Sequence, residues 1–404
     1  MQKLLLLFLF VMLNLFQHLA SAQGTWTQKA NFGGTPRGGA VGFSIGNKGY
    51  IGTGYDSTLS YCQDFWEWDQ ATNIWTQKAN FPDVFGRGGA TTFSIGGFGY
   101  ISCGANQNGF LNDLWQYDPV LNIWNQKNNF LGTSRYGAVG FSIGNKGYIG
   151  TGKDGSGGYL QDFWEYDQAT NLWTQKTNFP GTARYVARGF SIGTKGYLGT
   201  GFDNNGYTND FWEYDTILNS WSQKTNVSGL PRCLGVGFSI GGKGYSGMGL
   251  TNSGFENDFW EYDPVLNSWS QKVDFFGTQR ISLVGFSIGT KGYIGTGEDM
   301  LGYKQDFWEF SPVVGIEEQP QTLQTTIYPN PFTTSATLQI QNANSNYQNL
   351  ELVLYNIEGK QVRNLTFHTS HLTLERENLS NGVYFYQILT QSGKLLSSGK
   401  IVAE

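Results

Sequence analysis

Tryptophan recurs along this chain with a nearly fixed step. Trp26, Trp75, Trp124, Trp173, Trp221 and Trp269 lie 49, 49, 49, 48 and 48 residues apart, and each opens the same unit. The unit reads Trp-Xaa-Gln-Lys, a loop, an Arg, a Phe-Ser-Ile-Gly strand end, Lys-Gly-Tyr-Ile-Gly-Thr-Gly, a second loop, and Asp-Phe-Trp-Glu-Tyr-Asp; six units fill Thr25 to Phe310. All 13 Trp residues fall in that span, so they belong to the common core of the repeat rather than to one special place. Within each unit four short runs rich in Val, Ile, Phe, Tyr and Trp are separated by Gly, Asn, Asp and Pro, which predicts four antiparallel strands. In the first complete unit these are strand a (Gly38 to Ile45), strand b (Gly49 to Thr53), strand c (Asp64 to Trp68) and strand d (Trp75 to Lys78). A four-stranded sheet repeating at this period predicts the blade of a propeller.

The order of strands predicts how the ring closes. The chain enters on a lone strand d, Trp26 to Lys29, and leaves the repeats after strands a, b and c of the last unit at Phe310. An Asp-to-Asn turn precedes strand d five times, at 69–73, 118–122, 167–171, 215–219 and 263–267, and is missing after Glu309-Phe310-Ser311-Pro312. The N-terminal strand is therefore expected to complete the last blade, which removes two exposed sheet edges at once. The run Tyr262-Asp263-Pro264-Val265-Leu266-Asn267-Ser268-Trp269, with Arg280 and Gly292-Tyr293-Ile294-Gly295-Thr296-Gly297, resembles the kelch repeat. The resemblance covers all six units, and it departs from the family in one way: the Gly-Gly doublet after strand b is mostly Gly-Thr-Gly here. It implies an all-β fold, a six-bladed kelch-type β-propeller over residues 23–312.

Both ends of the chain carry export signals. Met1 to Lys3 holds one positive charge, Leu4 to Leu13 is apolar, and Ala20-Ser21-Ala22 precedes Gln23, which reads as a signal peptide over residues 1–22. A membrane span needs about 20 apolar residues, and Asn14, Gln17 and His18 interrupt this one, so the mature chain is expected to have no transmembrane segment. After a polar linker at 313–325, short strands at Ala336 to Ile340, Leu350 to Tyr355, Leu372 to Leu374, Val383 to Leu389 and Leu395 to Ile401 predict a small C-terminal β-sandwich over 326–404. Tyr328-Pro329-Asn330-Pro331-Phe332, Leu354-Tyr355-Asn356-Ile357-Glu358-Gly359-Lys360, Gly382-Val383-Tyr384-Phe385-Tyr386 and Gly399-Lys400-Ile401-Val402 are similar to the C-terminal sorting domain of bacterial type IX secretion. That resemblance implies passage through the periplasm, the type IX machinery as a partner, and a final place at the outer surface or beyond, with removal of this domain and anchoring to lipopolysaccharide. The plainer alternative is a generic secreted sandwich or carbohydrate module.

Charge narrows the partners. Lys plus Arg is 26 against 31 Asp plus Glu, with no basic run, which argues against nucleic acid. Cys62, Cys103 and Cys233 sit at unrelated repeat positions; Cys62 with Cys103 is the one pairing to consider, against three separate thiols. Only three His exist, at 18, 368 and 371, so the repeats contain none. Kelch-like propellers resemble galactose oxidase and sialic-acid mutarotase, yet copper oxidase chemistry needs His ligands. Asp203-Asn204-Asn205-Gly206 lacks the spacing and closing Glu of a calcium loop. No metal and no cofactor is expected.

Comparison between units points to one face. Loops a–b and c–d hardly vary, whereas loops b–c do, and alternating strand direction brings loops b–c and d–a to the same side. That side gathers Tyr55, Tyr61, Phe110, Tyr136, Tyr159, Tyr185, Tyr207, Phe255 and Tyr303 with Asp56, Asp154, Asp203, Glu256 and Asp299. Aromatic faces beside carboxylates suit a sugar; ordinary turn chemistry explains the same residues. Arg37, Arg87, Arg135, Arg184, Arg232 and Arg280 recur with Asp64, Asp113, Asp162, Asp210, Asp258 and Asp306, and are expected to stitch blades together rather than to form an anion ring. Arg188 is an exception, because it occupies the place of Val41 and Val139. The expected function is a monomeric, secreted or surface-bound module that recognises a glycan or a protein through this face. The alternative is a carbohydrate-active enzyme, a mutarotase, epimerase or hydrolase, using the same face; protein scaffolding would use a flat rim.

Overall fold

The computed structural model describes residues 23–312, 324–341, 350–357, 359–390 and 395–404, so the leader and linker residues 313–323 lie outside it. The chain divides into two compact units, one ending at Val313 and one beginning at Val314. The first unit holds six four-stranded antiparallel sheets. Blade 1 consists of Val41–Ile45, Lys48–Gly52, Phe65–Asp69 and Ile74–Gln77, and blades 2 to 5 begin on Thr91–Ile95, Val139–Ile143, Arg188–Ile192 and Val236–Ile240. Blade 6 takes Val284–Ile288, Lys291–Gly295 and Phe307–Ser311 from the end of the repeats and Thr25–Gln28 from their start. The ladder sets Trp26 opposite Phe310 and Gln28 opposite Trp308, and Lys29 adds an ion pair to Glu309 at 3.1 Å. The innermost strands contact one another in sequence and return from blade 6 to blade 1, so the fold is a β-propeller.

Neighbouring blades interlock through a glycine. In each Lys-Gly-Tyr or Phe-Gly-Tyr segment, a Cβ on the Gly would run into the Phe ring of the preceding blade, at 2.1 Å for Gly99 against Phe43 and 2.6 Å for Gly196 against Phe141. The missing side chain lets that ring lie against the next blade's strand, while it stacks on a Tyr of its own blade, as Phe43 does on Tyr50. Core packing tolerates no added methyl at such a point.

Two closed circuits of backbone hydrogen bonds also join the blades. Gly54, Gly104, Gly152, Gly201, Gly249 and Gly297 each donate to the carbonyl of the next blade's repeat arginine, at 2.7–3.1 Å. These donors have positive φ, 92° at Gly54, which explains the last Gly of Gly-Thr-Gly. The second circuit links residues 39, 89, 137, 186, 234 and 282, each amide donating to the carbonyl of the one before and Gly39 closing on Ser282 at 3.1 Å. All six are left-handed, including the non-glycine residues Val186, Leu234 and Ser282.

Several sequence expectations are corrected here. Strand a is not continuous from Gly38: the left-handed Gly39 breaks it into Arg37–Gly38 and Val41–Ile45. Strand b ends at Gly52, because Thr53 is left-handed with φ 57°. The arginines do not pair across blades through their side chains. Each repeat arginine is fully buried and forks onto an Asp of its own blade, as Arg135 does on Asp162 at 2.6 and 2.7 Å, and spans blades only through its carbonyl. The guanidinium lies over a Phe in blades 1, 2, 3, 4 and 6, which leaves the pair sandwiched between ring and backbone.

The second unit is a β-sandwich by itself. One sheet holds Gln324–Tyr328, Ser335–Gln341 and His371–Glu375, the other Gln361–Phe367, Leu350–Tyr355, Gly382–Thr390 and Leu395–Ala403. Leu338, Leu352, Leu354, Ile388 and Ile401 are fully enclosed between them. Gln324–Tyr328 and Gln361–Phe367 were not anticipated; the second presents mostly polar, exposed residues and lacks an apolar alternation strong enough to announce a strand.

Candidate functional site

The left-handed circuit frames one mouth of the propeller channel. Its residues immediately precede each inner strand, so the mouth belongs to the face of loops d–a and b–c. Two varying positions surround it. One is the residue after Gly-Thr-Gly or its equivalent (Tyr55, Ala105, Lys153, Phe202, Leu250, Glu298), and the other follows the repeat arginine (Gly38, Gly88, Tyr136, Tyr185, Cys233, Ile281). These positions face one another across short ladders or bridges, Tyr55 with Gly38 and Lys153 with Tyr136.

Aromatic rings bridge consecutive blades at this mouth. Tyr303 of blade 6 meets Tyr55 edge-on at 5.7 Å, Phe110 of blade 2 stacks on Tyr136 at 6.0 Å, and Tyr159 of blade 3 stacks on Tyr185 at 5.1 Å. Phe202 stands against Tyr159, Tyr185 and Tyr207, while the Lys153 ammonium lies 5.9 and 5.7 Å from the Tyr159 and Tyr185 rings. Tyr55 hydrogen-bonds to Ser282 of the circuit and to Tyr136, and burial is the main reason its phenol titrates above the ordinary tyrosine value. Burial likewise raises Tyr136, helped by Tyr55, Tyr185 and Tyr61. Both phenols are therefore neutral donors at neutral pH.

The carboxylates of this face are arranged differently. Asp56 accepts the Thr58 amide and hydroxyl at 2.9 and 2.6 Å, and Asp154 accepts the Ser156 amide and hydroxyl at 2.9 and 2.7 Å. Those hydroxyl bonds are the chief cause of their lowered pKa values. Asp203 is buried and takes bonds from Thr182 and the Asn205 amide. Asp299 is buried too; burial pushes its carboxyl up, and Lys304 and Thr278 outweigh that and hold it below its ordinary range. Glu256 accepts the Thr251 hydroxyl at 2.9 Å, in the long hairpin that also carries Phe255. Asp56, Asp154 and Glu256 thus organise their own hairpins, and Asp203 and Asp299 also tie theirs to the preceding loop.

Arg188 opens the inner strand of blade 4 just beneath the circuit. Its Nε donates to the Gly235 carbonyl of blade 5 and its Nη1 to the Ala187 carbonyl at 3.2 Å. The side chain retains some accessible surface, yet it lies deep in the protein and burial lowers its pKa, because the surface it exposes belongs to the channel. It lines a channel cavity of about 120 Å³ and a second of about 70 Å³ that reaches Tyr136 and the circuit residues. Beside it, burial pushes the Cys233 thiol up to about 12, so that neighbour carries no charge.

Of the residues singled out from sequence, Tyr55, Tyr61, Tyr136, Tyr185, Tyr303 and Arg188 surround the mouth, with Tyr61 bridged to Tyr55. Phe110, Tyr159 and Tyr207 join through ring contacts, whereas Phe255 and Glu256 pair within their own hairpin. Sequence reasoning passed over Lys153, Phe202 and Ser282. A unit-by-unit comparison at the residue after Gly-Thr-Gly would have found the first two. Among the described residues, no group of three or more His, Cys, Asp or Glu converges as for a metal ion, and all three cysteines are free.

Residues 326–404 match the family of secretion system C-terminal sorting domains. The chain is accordingly exported by type IX secretion to the cell surface or the outside. No curated protein matches the chain. Among solved structures, one titled "Structure of YjhT" is similar over 70% of this chain and 97% of its own, with a TM-score of 0.60 and 18% identity. At that identity the likeness speaks for the propeller fold alone. No helix among the described residues is long and apolar enough to cross a membrane.

Proposed function

We propose that this chain is an exported binding module built on kelch-type repeats, which takes a glycan at the tyrosine-rich mouth of its propeller. The reading rests above all on the convergence of rings from blades 1, 2, 3, 4 and 6 on one mouth of an otherwise repetitive scaffold. Apolar CH faces of a sugar can lie on such rings, while Lys153 and the phenol hydroxyls offer polar partners to its oxygens. The acids at the rim are held within their turns, so the site favours binding over acid–base chemistry. Delivery by the sorting domain puts this mouth outside the cell, with loss of residues 326–404 and attachment to lipopolysaccharide as its final form.

Saturation-transfer NMR on the full chain with a panel of mono- and oligosaccharides tests the proposal. Transfer without conversion, abolished by Tyr159→Ala or Tyr185→Ala, is the expected result. New product resonances would make the protein an enzyme, and silence across the panel would move the ligand from glycan to protein.

A further inference from the structure

The propeller contains seven arginines, and six of them follow one rule. Arg37, Arg87, Arg135, Arg184, Arg232 and Arg280 are each buried against an aspartate of their own blade. Arg188 breaks it. It stands where the other blades have Val41, Thr91, Val139, Val236 and Val284, and its side chain crosses toward blade 5 over Gly237.

A guanidinium carries five N–H groups. Arg188 gives one to the Gly235 carbonyl and one to the Ala187 carbonyl, and no carboxylate among the described residues pairs with it. The ionisable groups that interact with it are the Cys233 thiol and the Tyr136 phenol, both raised by burial and so neutral. The other side chains that line it are Ala40, Ala90, Ala138, Val186, Leu234, Ser282 and Leu283, none of them charged. A permanent positive charge thus faces a small cavity with no counter-charge among the described residues. Buried charges are otherwise paired, because an unpaired one carries a large desolvation penalty.

We infer that Arg188 makes this mouth a socket for one carboxylate, the anionic group of an acidic sugar whose body rests on the tyrosines. The inference rests on the glycan reading above and sharpens it. The cavities beside the guanidinium, of about 120 and 70 Å³, leave room for a small polar group to reach it. The planar fork of the guanidinium matches two carboxylate oxygens, at a cavity that Tyr136 also lines.

The test compares glucuronate, acetate and glucose by calorimetry on the full chain, on Arg188→Val and on Arg188→Gln. Valine restores the residue of four other blades, so that variant should fold and melt no lower than the original; glutamine keeps a donor toward Gly235 without the charge. Glucuronate is expected to bind the original chain and to weaken about tenfold or more in both variants, as loss of a charge-assisted pair predicts. Glucose should respond equally to all three proteins. Glucuronate binding that is the same in all three, or no carboxylate binding at all, overturns the socket; neutral sugars bound equally in that case leave the glycan reading standing. Acetate binding that needs Arg188 while no sugar binds keeps the socket and removes the glycan.

Discussion

Truncating Trp26 to alanine probes the closure of the ring at its one covalent gap. The indole is half-buried and touches Phe259 of blade 5, Phe275 of the following loop and Phe310 of blade 6, with ring centroids 5.2, 5.1 and 4.9 Å away. Its Nε1 donates to the Val273 carbonyl at 3.2 Å. Full burial of a tryptophan removes about 200 Å² from water and is worth about 5 kcal/mol. Half of that, with about 1 kcal/mol for the indole hydrogen bond, gives a loss of about 3.5 kcal/mol. Spread over the unfolding entropy of residues 23–312, this lowers the melting temperature by about 6 °C. Trp269→Ala is the matched control, since that residue also packs on a Phe and a Tyr and donates to a carbonyl, but its strand is anchored by chain at both ends. Thermal melts should show comparable losses for the two variants, while limited proteolysis should release the N-terminal strand only from Trp26→Ala. An unchanged melt with an unchanged digestion pattern would refute the claim that Thr25–Gln28 holds blade 6.

Acid should weaken the propeller through its arginine-paired aspartates. Burial raises the Asp162 and Asp306 carboxyls, and the hydrogen bonds and charge of Arg135 and Arg280 more than reverse that, so both titrate below the ordinary 3.8. A lowered folded pKa contributes stability that is fully present above the unfolded value and is lost as pH falls through the folded one. Melting temperature should therefore drop below about pH 4, and Asp162→Asn should lose about 3 kcal/mol at neutral pH and show a smaller acid-induced drop; an identical drop would refute the assignment. Removing residues 326–404 should leave the propeller folded but retained in the cell, as fractionation would show, and normal delivery of the truncated chain would defeat the export role of that domain.

Much of the propeller is legible in the chain because its code is local and repeated. The 48- and 49-residue step, the alternation within each run and the unpaired strand at each end are set by neighbours in sequence. They lead to six four-stranded sheets and to the partner of Trp26 without any knowledge of distance. The strand breaks at residues 39 and 53 were hidden, since a left-handed backbone is plain for Gly yet is also taken by Thr53, Val186, Leu234 and Ser282 when the circuit of hydrogen bonds demands it.

The candidate site was legible as a face and not as a site. Sequence variation picked out the tyrosines and the hairpin acids as one group, and Arg188 as a departure from valine, without the partners of any of them. Tertiary structure separated them, because the answer depends on partners either two residues away or in another blade. Asp56 and Asp154 turn inward on the Thr58 and Ser156 amides, a matter of turn direction. Tyr136 and Tyr185 stack on rings of adjoining blades and Tyr55 meets one edge-on, a matter of how the ring closes. The sequence by itself determined that the chain is a repeated β fold with an export domain at its end. Only the folded ring decided which charges are satisfied, because an arginine at a valine position becomes an unpaired cation once six blades enclose it.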